Sequence, residues 1–130
     1  MPEPRAKILE FTTAVARDGR VEALGDSLLP PAAWQAEHLV LAGLVRCSLT
    51  SLRYHARRVG IGVAASGEAW GSVTKRKRDG RYAFVEIECR LDVELTPAPD
   101  DLAALLAKAE RDCFVGASLS AEPRYVWNVA

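Results

Sequence analysis

The chain has 130 residues, of which 49% are hydrophobic and 26% are charged, an ordinary composition for one globular domain with a hydrophobic core. Its 17 Lys and Arg residues balance its 17 Asp and Glu residues, so the net charge does not indicate binding to nucleic acid or to a membrane surface. The longest apolar run, Leu39 to Val45, is too short to span a bilayer, and the start, MPEPRAK, has no apolar core of a secretory signal. We therefore expect one cytoplasmic domain across residues 1–130, whose three cysteines are buried, redox-active or catalytic rather than structural disulfides.

The first third of the chain predicts a β-hairpin. Apolar residues alternate from Lys7 to Val15, which indicates a strand. Arg17-Asp18-Gly19-Arg20 follows and contains the Asp-Gly pair of a tight turn, and Val21 to Leu24 would be the returning strand. Pro30-Pro31 then blocks regular ladder pairing and favours a helix start.

The segment from Trp34 to Arg58 predicts a long helix. It contains no proline and only one glycine, Gly43, and its apolar residues surround most of the helix, as is typical of a buried central helix. Cationic side chains in its last two turns suit the negative end of the helix dipole. Gly60 is the expected C-terminal stop.

The next two segments, Ile61 to Thr74 and Arg81 to Leu95, predict a long antiparallel hairpin. They are joined through Lys75-Arg76-Lys77-Arg78-Asp79-Gly80, which again contains an Asp-Gly pair. The second strand alternates strictly between apolar and charged residues, so we expect one buried and one solvated face. The predicted buried face consists of Val85, Ile87, Cys89, Leu91, Val93 and Leu95.

The last third predicts a helix and a short strand. Pro97 and Pro99 end the hairpin, and Asp100 is the expected N-cap of the helix. Apolar residues at helical spacing form a stripe that Cys113 continues, and Tyr125 to Val129 would be a final strand. The order of elements indicates an α+β fold built from antiparallel hairpins.

Sulfur is the only strong nucleophile that the pattern offers, because no serine triad or metal constellation stands out. Taken alone, a cysteine on an apolar helix such as Cys47 or Cys113 is usually a small core residue. Cys89, on a fully apolar strand face, should carry a protonated and inert thiol. His38 and His55 lack partners at metal-ligand spacing, so we expect neither a metal nor a cofactor.

Three motifs change this interpretation. Glu37 precedes Cys47 by ten residues across a stretch of small and apolar residues, Cys113 follows the second predicted helix, and Arg17 lies in an Arg-Asp-Gly turn. Taken together, and in their order along the chain, the motifs resemble those of the OsmC/Ohr family, the osmotically inducible and organic hydroperoxide resistance proteins. The resemblance covers essentially the whole chain. The chain departs from residues that are common in the family at three positions: Ala36, Arg46 and Phe114.

The resemblance implies an α+β OsmC-like fold, with antiparallel sheets packed around a long central helix and a second helix, in an intertwined homodimer. It also implies a thiol peroxidase that reduces organic hydroperoxides to alcohols, in which Cys47 forms a sulfenic acid and Cys113 resolves it to a disulfide. Electrons would come from dithiols, with a lipoylated protein as the natural donor. Arg17 would lower the pKa of the Cys47 thiol and polarise the peroxide, and Glu37 would hold the guanidinium.

Helix geometry constrains this assignment. On one straight helix, Glu37 and Cys47 would be about 15 Å apart along the axis. Either the helix starts after Glu37 or breaks near it, or Glu37 comes from a second subunit whose helix crosses at Ala42-Gly43. Two other functions stay open: a family member that binds a small apolar ligand without efficient peroxidase activity, and a structural dimer whose cysteines fill the core.

Overall fold

A computed structural model describes residues 6–130 of the protein. The first five residues, where we predicted no secretory signal, lie outside the described part. The chain divides after Gln35 into two compact units, and the prediction of a single domain stays a prediction. None of the helices in residues 6–130 is long and apolar enough to cross a membrane.

The first unit contains an antiparallel sheet of three short strands, β1 (Ala14–Val15), β2 (Val21–Ala23) and β3 (Asp26–Leu28). The predicted tight turn between β1 and β2 is confirmed: the Gly19 amide donates to the Ala16 carbonyl at 2.9 Å. The Asp18 carboxylate also accepts from the Arg20 amide at 3.1 Å. This turn carries Arg17.

The predicted first strand is too long, and β3 was not predicted. β1 contains only the last two residues of the predicted range Lys7 to Val15, because β2 supplies only three residues before the chain turns again. The second turn is formed by Leu24 and Gly25, which have φ values of 53° and 76°. Two consecutive left-handed residues suit a two-residue hairpin turn, but leucine rarely adopts that conformation, so the sequence did not indicate it.

The second unit begins with the long helix α1 (Ala36–Arg58). This helix starts two residues later than predicted, and Pro30-Pro31 does not start it, because a turn in which the Trp34 amide donates to the Pro31 carbonyl intervenes. Gly60 has φ +74° and lies just beyond the helix, as predicted. The buried face of α1 consists of Leu44, Ser48, Leu49, Ser51, Leu52 and Ala56.

The second sheet has the order β4–β5–β6, with β4 at Gly62–Lys75, β5 at Tyr82–Thr96 and β6 at Arg124–Val129. The predicted long antiparallel hairpin of β4 and β5 is confirmed. β6 runs parallel to β5, because the chain passes through two helices before it returns to the sheet. The buried face of β5 consists of Ile87, Cys89, Leu91, Val93 and Leu95.

Val85 does not share that face, contrary to the prediction. It is 39% exposed because the pairing passes directly from Ser72–Glu86 to Val73–Phe84. Val85 is therefore the extra residue of a β-bulge, and Phe84 packs against the core in its place.

Two helices connect β5 to β6: α2 (Leu102–Arg111) and α3 (Phe114–Ser118). The N-cap of α2 is Asp101 rather than Asp100, since its carboxylate accepts from the Ala104 amide at 3.0 Å. Cys113 does not continue the helical stripe of α2, contrary to the prediction from its spacing; it follows the C-cap of α2 and caps the N-terminus of α3. The short helix α3 was not predicted, but the α+β fold class is confirmed.

Candidate active site at the start of helix α3

Cys47 lies in the middle of α1, on the side that packs against the chain segment around α3. It is half-buried, and its Sγ accepts a hydrogen bond from the Val115 amide at 3.5 Å. Val115 belongs to the first turn of α3, whose amides have no partner within the helix. Cys47 therefore uses a free amide of α3 across 68 residues of sequence.

Cys113 uses the next amide of the same turn. Its side chain is 0% exposed, and its Sγ accepts from the Gly116 amide at 3.4 Å. The two cysteines that the sequence singled out are thus brought together, with their sulfur atoms on consecutive amides at the start of α3. Amides at a helix start favour a negatively charged sulfur.

Burial opposes this effect at Cys47. Desolvation raises the pKa of the Cys47 thiol, the Val115 amide lowers it, and the neighbouring Cys113 thiol raises it again. The balance leaves the pKa above the ordinary value. Burial therefore disfavours the thiolate of Cys47, and a cation beside the sulfur would favour it.

Two residues that the sequence did not single out surround the Cys113 sulfur. Ser48 is fully buried, and its Oγ lies 3.4 Å from Cys113 Sγ. The Tyr125 hydroxyl lies on the Gly116 side of the same sulfur, and burial, followed by the Cys113 thiol, raises the pKa of the phenol. The only signal for Ser48 was a small polar residue next to Cys47 on an otherwise apolar helix.

Gly116 makes this arrangement possible. An added Cβ at Gly116 would collide with the Tyr125 hydroxyl and lie 3.4 Å from Cys113 Sγ. Only glycine therefore leaves room for the phenol to reach the sulfur.

Cys89 is the third sulfur. It is 0% exposed, and burial, the largest cause, raises the pKa of Cys89 to about 11, as the predicted protonated thiol requires. It is nevertheless not remote from the other cysteines, because its Sγ lies 4.0 Å from Ser48 Oγ.

The structure does not bring Glu37 of the same chain to the two thiols, and it does not establish the position of Arg17 relative to them. Glu37 lies in the first turn of α1, and the helix continues without a break through Cys47, so the two residues are about 15 Å apart along the axis. A helix that starts after Glu37 is thereby excluded. Arg17 lies in the first unit, and its role at Cys47 stays a prediction.

An ion-pair cluster fixes the residue before Cys113. His55 Nε2 of α1 lies 2.7 Å from Asp112 Oδ2, and the Arg111 guanidinium donates two bonds of 3.0 Å to the same carboxylate. Arg111 and then His55 hold the pKa of Asp112 at about 2. The cluster attaches the end of α2, and with it the Cys113 backbone, to α1.

The chain matches the family model described as OsmC-like protein over residues 29–128. An OsmC-like protein of Vibrio cholerae has a similar structure, with a TM-score of 0.74, 16% identity, and coverage of 95% of this chain and 100% of the other. The OsmC organic hydroperoxide resistance protein of Legionella pneumophila has a TM-score of 0.58 at 20% identity, covering 98% and 99%.

The organic hydroperoxide resistance protein OhrB of Bacillus subtilis has a TM-score of 0.54 at 20% identity, covering 93% and 96%. At these identities the structures show a common fold only. No curated protein matches the sequence. Because the family model covers more than half of the chain and the fold agrees, the protein belongs to the OsmC-like family.

Proposed function

We propose that this protein is a thiol-dependent peroxidase that reduces organic hydroperoxides. One observation carries the proposal: a half-buried Cys47 and a fully buried Cys113 place their sulfur atoms on consecutive amides of α3. A pair of cysteines in one cluster allows a sulfenic acid on one sulfur to be captured by the other. The names of the relatives from Legionella pneumophila and Bacillus subtilis support the substrate class.

The proposed reaction has three steps: oxidation of Cys47, formation of a disulfide, and reduction of that disulfide. The Cys47 thiolate attacks an oxygen of the hydroperoxide, the O–O bond breaks, and the alkoxide leaves as the alcohol after it takes up a proton. Cys47 is then a sulfenic acid. The Cys113 thiol attacks that sulfur, water leaves, and a disulfide forms. A dithiol reductant, for which a lipoylated protein is our candidate, exchanges with this disulfide and restores both thiols.

We assign the activation of the Cys47 thiol to Arg17. Because burial raises the pKa of the Cys47 thiol, a guanidinium beside the sulfur would oppose that rise. Glu37 of the same subunit cannot orient that guanidinium at Cys47, since α1 is unbroken. We therefore assign this role to Glu37 of the partner subunit in a homodimer.

The surface of α1 is consistent with such a dimer. Leu39 and Val40, in the second turn, are 39% and 37% exposed, and Ala42-Gly43 lies beyond them with no atom within 4 Å of an added Gly43 Cβ. Small residues let two helices approach closely, and apolar neighbours gain from being covered. Crossing two copies here would bring each Glu37 toward the opposite Cys47.

Anaerobic thiol titration tests the chemistry. One equivalent of an alkyl hydroperoxide should remove two thiols, leave Cys89 reduced, and form a disulfide between Cys47 and Cys113. Dithiol-dependent turnover should be lost in Cys47→Ser and retained in Cys89→Ala, which serves as the control. Unchanged thiol content after the hydroperoxide would refute the proposal.

A second candidate is a protein that binds a small apolar ligand without efficient peroxidase activity. The raised pKa of the Cys47 thiol favours it, because a protonated sulfur is a weak nucleophile. The pH dependence of Cys47 alkylation by iodoacetamide separates the two functions. The peroxidase requires an apparent pKa below the ordinary value that rises in Arg17→Gln; an apparent pKa above the ordinary value in both proteins would favour the ligand-binding function.

A further inference from the structure

The hydroxyl of Ser48 contacts two of the three sulfur atoms. Its Oγ lies 3.4 Å from Cys113 Sγ and 4.0 Å from Cys89 Sγ, and all three side chains are fully buried. Cys113 therefore has a cysteine on either side of it: Cys47 at the start of α3, and Cys89 on the sheet beyond Ser48. The sulfenic acid on Cys47 decides the first partner of Cys113, but nothing in the proposed reaction explains why the resulting disulfide should not exchange with Cys89.

The hydrogen bonds of Ser48 indicate how the choice is made. Ser48 Oγ donates its only proton to the Leu44 carbonyl at 2.8 Å, so toward the sulfur atoms it can act only as an acceptor. The Cys113 S–H is its closer donor. On its other side, the Cys113 sulfur accepts from the Gly116 amide at 3.4 Å. The two bonds together fix the direction of the Cys113 side chain.

We propose that Ser48 is a positioning residue that directs Cys113 to Cys47 and away from Cys89. This inference rests on the proposed peroxidase function and adds a selection step to it. The Ser48 hydroxyl lies against both buried sulfur atoms. Once Cys113 is in the Cys47–Cys113 disulfide, the hydroxyl can still accept a hydrogen bond from the Cys89 thiol, and a Cys89–Cys113 disulfide would remove that bond. The inert behaviour of Cys89 then depends on Ser48 as well as on burial.

Without the hydroxyl, a second reaction becomes available. The Cys89 thiol attacks the Cys113 sulfur of the Cys47–Cys113 disulfide, the bond to Cys47 breaks, and a Cys89–Cys113 disulfide forms. The proton of Cys89 passes to the Cys47 sulfur. One thiol and one disulfide stand on each side, so the exchange needs no oxidant or reductant.

The test is disulfide mapping of the full-length protein. Reduced protein receives one equivalent of cumene hydroperoxide, free thiols are alkylated, and peptides are analysed by mass spectrometry. The wild-type protein should give the Cys47–Cys113 pair. In Ser48→Ala, the Cys89 thiol loses its hydrogen-bond acceptor in the Cys47–Cys113 form, so the ratio of Cys89–Cys113 to Cys47–Cys113 should rise roughly fivefold or more, the equilibrium effect of one lost hydrogen bond.

Two variants control for a merely structural effect. Ser51→Ala removes another buried hydroxyl of α1, one that has no hydrogen-bond partner, and should keep the wild-type pairing. Ser48→Thr retains the hydroxyl and should also keep it. Equal scrambling in Ser51→Ala, or unchanged pairing in Ser48→Ala, would overturn the role of Ser48.

A parallel oxidation with diamide separates this inference from the proposed function. Diamide oxidises thiols without a hydroperoxide, so it reports the pairing preference alone. Wild-type protein that forms the Cys47–Cys113 pair with diamide but not with cumene hydroperoxide would refute the peroxidase, while the Ser48 comparison would still be decided. The same pairing ratio in Ser48→Ala and wild type under both oxidants would refute the selection by Ser48.

Discussion

The two ends of the sulfur cluster are built differently. At the start of α3, Cys47 and Cys113 accept hydrogen bonds from backbone amides, and Cys47 is half-buried. On the sheet, Cys89 lies among apolar residues of β5, is fully buried, and has only the Ser48 hydroxyl nearby as a polar neighbour among its described hydrogen bonds. The same side chain thus occurs beside backbone amides, which favour a charged sulfur, and on an apolar strand face, where burial dominates.

The surroundings, rather than the residue type, therefore separate a candidate catalytic thiol from a core thiol. Burial raises the pKa of both Cys47 and Cys89. Only at Cys47 do amides of a helix start oppose that rise. Substitutions on one side of the cluster should therefore have different effects from substitutions on the other.

The largest effect is expected on the α3 side, from Gly116→Ala. The new Cβ would collide with the Tyr125 hydroxyl, so the phenol must leave Cys113 and the core must adjust. Overpacking of this kind should lower the free energy of unfolding by about 1–3 kcal/mol, as measured by urea denaturation. It should also slow formation of the disulfide after hydroperoxide treatment.

The matched control for Gly116→Ala is the double variant with Tyr125→Phe. Because the collision involves the hydroxyl, removing that oxygen should recover part of the lost stability. Equal destabilisation with and without the hydroxyl would show that the close approach of Tyr125 is not the cause.

A smaller effect is expected on the sheet side, from Cys89→Ala. Removal of one buried sulfur leaves a small cavity, which should cost about 1 kcal/mol of unfolding free energy. Hydroperoxide turnover should stay at the wild-type level, because Cys89 contributes no atom to the proposed reaction. A large loss of turnover at nearly unchanged stability would show that Cys89 takes part in the reaction and is not only a core thiol.

The regular elements could be predicted from the sequence because their signal is long and periodic. α1 extends over 23 residues and β5 over 15, so one misplaced residue hardly changes the pattern. Errors arose where the signal is local and short. Leu24 adopts a positive φ, which a leucine in the sequence does not predict. The helix α3 has only five residues. A β-bulge moves Val85 off the buried face of β5.

The site was predicted only in part, for a different physical reason. Cys47 and Cys113 could be selected by their place in a family pattern, but their shared use of α3 could not, because α3 itself was not predicted. Ser48 contacts Cys113 across 65 residues of sequence, and Tyr125 approaches it from β6. Such contacts depend on how α1, α3 and β6 pack. Their roles therefore emerge from packing and not from any local motif.

The smallest effect is expected beside the cluster, from Asp112→Asn. The pKa of Asp112 is held at about 2, below its ordinary value near 4, so the charged carboxylate favours the folded protein. This stabilisation is fully present above about pH 4 and is lost as the pH falls through about 2. Since Arg111 is largely exposed, solvent should limit the effect to roughly 0.5 kcal/mol.

Urea denaturation at a series of pH values measures this contribution. The gap in unfolding free energy between wild type and Asp112→Asn should close as the pH falls from 4 to about 2. Asp100→Asn, which makes the same change on an exposed carboxylate, should show no comparable gap. If the Asp112 gap persists undiminished at the acid end, the stabilisation comes from the hydrogen-bond geometry around the Cys113 backbone and not from the charge. In that case the ion-pair cluster with His55 would be a purely structural attachment of α2 to α1.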